Sequence, residues 1–168
     1  MRSFRKDAKI GALVLVAALV VAQAVRIEKT NPPEFSEISA APEIQPLLRR
    51  ACYDCHSNET VWPWYSNIAP VSWMVGSDVA EGRRMLNFSE WGRYANDNQG
   101  VKSSGIIKEM QDGDMPPWYY SAIHRNSRLN QQERERIKAW ATVERNHVKP
   151  SKSIEIAGML LHAGGDRR

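Results

Sequence analysis

The sequence predicts an all-α protein, a bundle of short helices behind an apolar N-terminal segment. Three observations carry this. Apolar residues recur at three- and four-residue spacing in several separate stretches, the signature of amphipathic helices. No stretch alternates apolar and polar residues over the length of a strand. The last periodic stretch also opens on a capping pattern, with Asn130 followed by Glu133.

The elements follow in order. Residues 10–25 read IGALVLVAALVVAQAV, after an arm carrying Arg2, Arg5, Lys6 and Lys9 against Asp7. One reading is a secretory leader cut after Ala24, at the A-x-A match Ala22-Gln23-Ala24. The other is an uncleaved membrane anchor, for which a full span takes about 20 apolar residues. The run stays apolar up to its end and exceeds the ~15 residues of a leader's apolar region, which favours the anchor. A core helix is excluded, because a terminal segment apolar all round has no face to hide. In both readings the basic arm stays in the cytoplasm, and the body lies on the periplasmic side of a bacterial inner membrane. Residues 1–27 are thus expected as signal or anchor.

Residues 28–41, with Pro32 and Pro33, read as a linker. The body is expected over 42–146. Ile44, Leu47, Leu48 and Ala51 share one face of a short helix, with Pro46 tolerated in its first turn. Pro70 to Leu86 reads as a second helix with Val71, Met74, Val75 and Val79 inward. Ser89 is placed to cap a third, short one through Trp91 and Tyr94. A fourth spans about Ser104 to Gln111, with Ile106, Ile107 and Met110 inward. The last runs from Asn130 to near Asn146 on a stripe of Ile137, Trp140, Ala141 and Val143. The tail, 147–168, is expected to be a loose helix or disordered, and no function is assigned to it.

Length and charge narrow the function classes. The 168 residues suit one domain with appendages. The net charge of +4 resides at the two ends, while residues 30–148 hold 13 Lys and Arg against 15 Asp and Glu. A slightly acidic body without a basic stripe argues against nucleic-acid binding.

The cysteines carry the chemistry. Both lie in CYDCHSN, as Cys52 and Cys55, with His56 directly after. A thioredoxin-like dithiol needs a βαβ setting. A structural zinc site needs four ligands, and this stretch offers three at most. A disulfide between cysteines three apart closes too small a loop to stabilise much. C-x-x-C-H is instead the attachment signature for c-type haem. Thiols three apart at a helix start reach the two vinyl groups as thioethers, and the next residue turns its imidazole to the iron. For the other face of the iron the candidates are Met74, Met85, Met110, Met115, Met159, His124, His147 and His162. Met74, Met85 and Met110 fall at helical spacing among apolar neighbours and read as core filler. His147 and His162 belong to the tail. Met115 stands in GDMPP, a loop held in shape by Pro116 and Pro117, and is the preferred ligand, with His124 as runner-up. Arg83 and Arg84 read as solvated helix-face charge, with haem propionates as their alternative partners.

These motifs resemble class I cytochrome c and, more narrowly, the bacterial single-haem "haem-binding domain" family. The likeness covers roughly Asn31 to Arg145 and rests on CYDCHSN (52–58), WPWY (62–65), IAPVSW (68–73), LNFSEW (86–91) and GDMPP (113–117). The resemblance implies a cytochrome c-like helical fold and one haem c with its iron. It implies attachment at Cys52 and Cys55, His56 as axial ligand and Met115 as the second. In such a fold Trp62, Trp64, Tyr65 and Trp73 are expected to wall the haem. The expected function is a membrane-tethered single-electron carrier that meets redox partner proteins. A haem-based sensor with a labile methionine is the alternative, and an enzyme is not expected.

Overall fold

The structure, a computed structural model, describes residues 2–147. The tail assigned to 147–168 lies outside them from residue 148 on, with its candidates Met159 and His162. Among the described residues there are helices and turns and no strand, so the all-α class holds.

Helix α1 spans Arg2–Ala22 and leaves its apolar side chains exposed. No helix among the described residues is long and apolar enough to cross a membrane. The reason is geometric. The uncharged part of α1, Ile10–Ala22, rises about 20 Å at 1.5 Å per residue, against a hydrocarbon core of about 30 Å.

The Pro-containing stretch is tied to the body. Ile38 is buried, and its N–H donates to the Phe88 carbonyl at 3.0 Å. The Phe35 and Ser36 N–H groups donate to the carbonyl of Ser89.

Helix α2 (Gln45–Ala51) buries Leu47, Leu48 and Ala51 as its spacing predicts. Cys52 ends it by donating its N–H to Leu48 at 2.8 Å, and then opens the single turn α3 (Tyr53–His56). Arg50 fixes this junction from outside. Its guanidinium donates to the carbonyls of Asn126 (2.5 Å) and Arg128 (2.9 Å) and to Glu133 (2.5 Å).

Helix α4 spans Val71–Met85, within a residue of expectation at each end. Its apolar face is not core. Of the four residues expected inward, Val79 is buried, while Val71 and Met74 are 39% and 46% exposed. The third helix is a 3₁₀ segment, Phe88–Arg93, and its cap is Asn87 rather than Ser89. The Asn87 side chain accepts the Ser89 N–H, and Ser89 is fully buried inside the segment.

Helix α5 (Asn96–Asp112) begins eight residues before the expected start at Ser104. Its first turns, NDNQGVK, are polar and leave no apolar period to read. Gly113, at φ 79°, closes it in the left-handed conformation that glycine adopts without penalty. After the short α6 (Trp118–Ile123) comes α7 (Gln131–His147), capped as predicted. The Glu133 N–H donates to Asn130 Oδ1 and the Asn130 N–H to Glu133 Oε2, both at 2.9 Å. Ile137, Trp140 and Ala141 are buried against α5, while Val143 is 52% exposed. The core joins α2, α5, α7 and the 3₁₀ segment around Leu48, Phe88, Ile106, Met110 and Ile137.

Candidate functional site

Cys52, Cys55 and His56 share one helical turn, and the Cys52 carbonyl accepts the N–H of Cys55 (3.2 Å) and of His56 (2.9 Å). Both cysteines are free thiols. Burial pushes each up to about 12, for Cys55 with help from the charges of Asp78 and Asp54. Both thiols are therefore neutral in the haem-free chain. The ligand atoms of Cys52, Cys55 and His56 also do not gather around one point, since the one such cluster among the described residues is Glu34, Glu37 and Glu59. That arrangement excludes a shared tetrahedral ion and fits three separate attachments to a large group.

His56 Nδ1 lies 2.9 Å from the Gly82 carbonyl and 3.1 Å from that of Leu86. Carbonyl oxygens only accept, so Nδ1 carries the proton and Nε2 keeps its lone pair. Burial holds the ring below the ordinary histidine range, which keeps it neutral. A neutral imidazole with Nδ1–H on a backbone carbonyl is the form that ligates a metal through Nε2. The residues present therefore fit a haem.

Two features position His56. Gly82 lets α4 approach α3, because a Cβ there would stand 2.4 Å from the Cys55 carbonyl oxygen. Beyond His56 a buried polar network joins the CYDCHSN and LNFSEW motifs. The Asn58 N–H donates to Ser89 Oγ (3.0 Å), and Asn87 Nδ2 to Asn58 Oδ1 (2.8 Å). Sequence reasoning noted both motifs as family marks and missed that they bond to each other.

On its other side, α3 borders a cleft of about 560 Å³ of empty space, its open mouth included. Cys55 opens onto it, facing the apolar stripe of α4: Val71 and Met74, which are exposed, Val75, half-buried, and Val79, buried. The core-filler reading thus holds for Met110 (7% exposed) and fails for Met74, which lines the cleft, and Met85, which is 54% exposed. The opposite wall is mostly aromatic, its polar atoms bonded to one another or to Asp54 and Asp78. Tyr65 Oη lies 2.5 Å from His124 Nε2, and the His124 ring stacks on Tyr120 at 4.3 Å. Tyr120 donates to Asp54 (2.6 Å) and Tyr119 to Asp78 (3.2 Å). Desolvation raises the Asp78 carboxyl above its ordinary range.

Met115 is elsewhere. It is partly buried and packs with Cys52 against the core, its carbonyl accepting from Arg134 at 2.7 Å. The structure joins Cys52, Cys55 and His56 in one turn. It sets Met115 on the core side and the runner-up His124 across the cleft. Of the four aromatic residues expected as a wall, only Tyr65 reaches the cleft. Trp64 is 75% exposed, Trp73 donates to the Val25 carbonyl, and Trp62 to Asn31.

Arg83 is neither solvated nor free for propionates. It donates to the carbonyls of Ser57 and Thr30 (2.8 Å each), to Asn31 (3.1 Å) and to Thr60 (2.8 Å), stapling the N-terminal stretch to the motif. Arg84 does pair on the surface with Glu81.

No curated protein and no solved structure matches the chain. A family model does: that of the haem-binding domain covers residues 17–143, well over half of the sequence and all of the site just described. The chain belongs to that family and is a haem-binding protein.

Proposed function

We propose that the chain is a c-type haem protein with one haem joined by thioethers to Cys52 and Cys55. In this reading His56 Nε2 and the Met115 sulfur are the axial ligands, within a cytochrome c-like packing of the helices. The role is that of a single-electron carrier rather than a catalyst. It is held at the periplasmic side of the bacterial inner membrane and exchanges electrons with redox partner proteins. Cutting after Ala24 would leave the same carrier soluble in the same compartment.

The observation that carries the reading is the state of His56: neutral, with its Nδ1 proton engaged by the Gly82 and Leu86 carbonyls and its Nε2 lone pair free. When bound, the haem supplies an iron that changes by one electron, and a His/Met pair favours a raised potential. The chain's own residues do the rest. The carbonyls of Gly82 and Leu86 fix the plane of the imidazole. The junction of α2 and α3 holds the two thiols three residues apart, Cys55 at the cleft and Cys52 against the core. Val71, Val75 and Val79 give the Cys55 side an apolar wall that thins out water.

The alternative is a haem-based sensor in which Met115 yields to a small ligand. It is favoured by the light tethering of the Met115 backbone, whose one hydrogen bond among the described residues is that from Arg134.

The test is an optical spectrum of the full chain matured with haem-attachment machinery, beside Met115→Ala. A low-spin wild type and a high-spin variant that binds carbon monoxide freely are expected. A wild type already high-spin, or unchanged by the substitution, removes Met115 from the iron and leaves a sensor with an open iron site or ligation by His124. Protein purified without covalent haem overturns the attachment itself.

A further inference from the structure

The N-terminal segment does not leave the body at the end of α1. Gln23, the first residue after the helix, grips both backbone groups of Ala69, itself 4% exposed. Its Nε2 donates to the Ala69 carbonyl at 3.0 Å, and its Oε1 accepts the Ala69 N–H at 2.9 Å. The same Nε2 reaches the Leu19 carbonyl at 2.8 Å, so the grip is tied to the last turn of α1. Two residues on, the Val25 carbonyl accepts the indole N–H of Trp73 at 2.9 Å. Ile27 then lies on α4 at Gly76, where an added Cβ would stand 3.1 Å from its Cγ2 and Cδ1. Lys29 bonds the side chain of Asn67. The end of α1 is fastened at several points to one stretch, residues 67–76.

The helix so fastened is unpartnered along its apolar length, with Leu13 71%, Val14 62% and Val21 71% exposed. Its uncharged part is about 10 Å short of the bilayer core. A short helix with a body clamped to its end draws that body down to the membrane surface. The clamped stretch, with the short turn just before it, carries the residues suited to meet it. Trp64 is 75% exposed, Ile68 46% and Trp73 39%. Tryptophan rings, apolar with one polar edge, favour the headgroup layer. At the far end of α1, Arg2, Arg5, Lys6 and Lys9 suit the anionic lipids of the opposite leaflet.

We propose that α1 is retained in the mature protein and that the face of Trp64, Ile68 and Trp73 sits in the headgroup layer. The haem-binding body then rests on the bilayer in one orientation. The cleft, whose wall begins at Val71, two residues before Trp73, lies near the membrane surface. This rests on the membrane-tether reading above and adds to it the clamp and the docked face.

The experiment uses the full-length holoprotein in vesicles of phosphatidylethanolamine and phosphatidylglycerol, three to one. Intact mass reads the N-terminus, the vesicle pellet reads attachment, and hydroxyl-radical footprinting reads side-chain access. Met85, 54% exposed at the far end of α4, is the reference. The expected result is a chain that keeps residues 1–24, pellets with the vesicles and oxidises Trp64 severalfold more slowly than Met85. Gln23→Ala should restore oxidation of Trp64 and Trp73 while the protein still pellets. A pelleted chain in which Trp64 oxidises as fast as Met85 overturns the docked face and leaves the tether standing. A mature chain that begins at Val25 and stays in the supernatant overturns the tether, and the docked face with it.

Discussion

His56 and Met115 are carried in opposite ways. His56 sits on a single turn whose surroundings are bonded on every side. Two carbonyls hold its ring, Arg83 holds the Ser57 carbonyl, and Asn58 is locked to Ser89 and Asn87. Met115 stands on a loop held by one backbone hydrogen bond from Arg134, its own partly buried side chain and the buried Pro116. The stiffness around His56 comes from buried polar groups: Asn58 is 3% exposed, Asn87 5% and Ser89 fully buried. Such a network is worth having only when every member is satisfied. The fold thus surrounds one proposed ligand with a hydrogen-bond network and holds the other mainly by packing and proline geometry.

Substitutions can break this contrast, starting with the largest expected effect. Gly82→Ala pushes a methyl group into the Cys55 carbonyl, and overpacking of this kind costs about 3 kcal/mol. Urea unfolding of the haem-free protein measures it, with lowered haem incorporation alongside. A cost under about 1 kcal/mol would mean that the α3–α4 approach is soft. Asn87→Ala unpairs the Ser89 N–H and Asn58 Oδ1 inside the network, and about 2 kcal/mol should be lost in the same assay. Met115→Ala, despite its expected effect on the spectrum, should cost the haem-free fold only about 1 kcal/mol, because the side chain is incompletely buried. Were it as costly as Gly82→Ala, the loop would be as stiff as the His56 side.

The smallest effect concerns the cleft. The Asp78 carboxyl is raised by burial, so the native state holds its proton after the unfolded chain has lost it. Stability therefore falls as pH rises through the range just above 3.8, the opposite of a salt-bridged carboxylate. Asp78→Asn should flatten that part of the stability profile and gain less than about 1 kcal/mol at neutral pH, since the group is partly exposed. A steeper profile in the variant would show that Asp78 is held by something other than desolvation.

Where the sequence encodes a local interaction, it could be read directly. The Asn130–Glu133 box marks the start of α7 because both partners lie three residues apart in the chain. The turn bearing Cys52, Cys55 and His56 is legible for the same reason. Helix α4 could be placed but not oriented: periodicity tells that Val71, Met74 and Val75 share an apolar face, not whether protein or a cleft covers it. Arg83 reads from sequence as solvated helix-face charge because its partners lie 23 to 53 residues away. The join between Asn58, Asn87 and Ser89 spans about thirty residues and leaves no periodic trace. The start of α5 is hidden because exposed polar turns look the same in a helix and in a loop.

The bend at Cys52 has a consequence for the order of assembly. Cys55 opens onto the cleft, while Cys52, one turn earlier, is packed against the core. Both cysteines are half-buried in the folded haem-free chain, one towards the cleft and the other towards the core. On the proposed double attachment, haem must reach both sides of this junction, which is easier before the core beside Cys52 has closed. If both thioethers form as proposed, a more stable haem-free protein would be the harder one to mature.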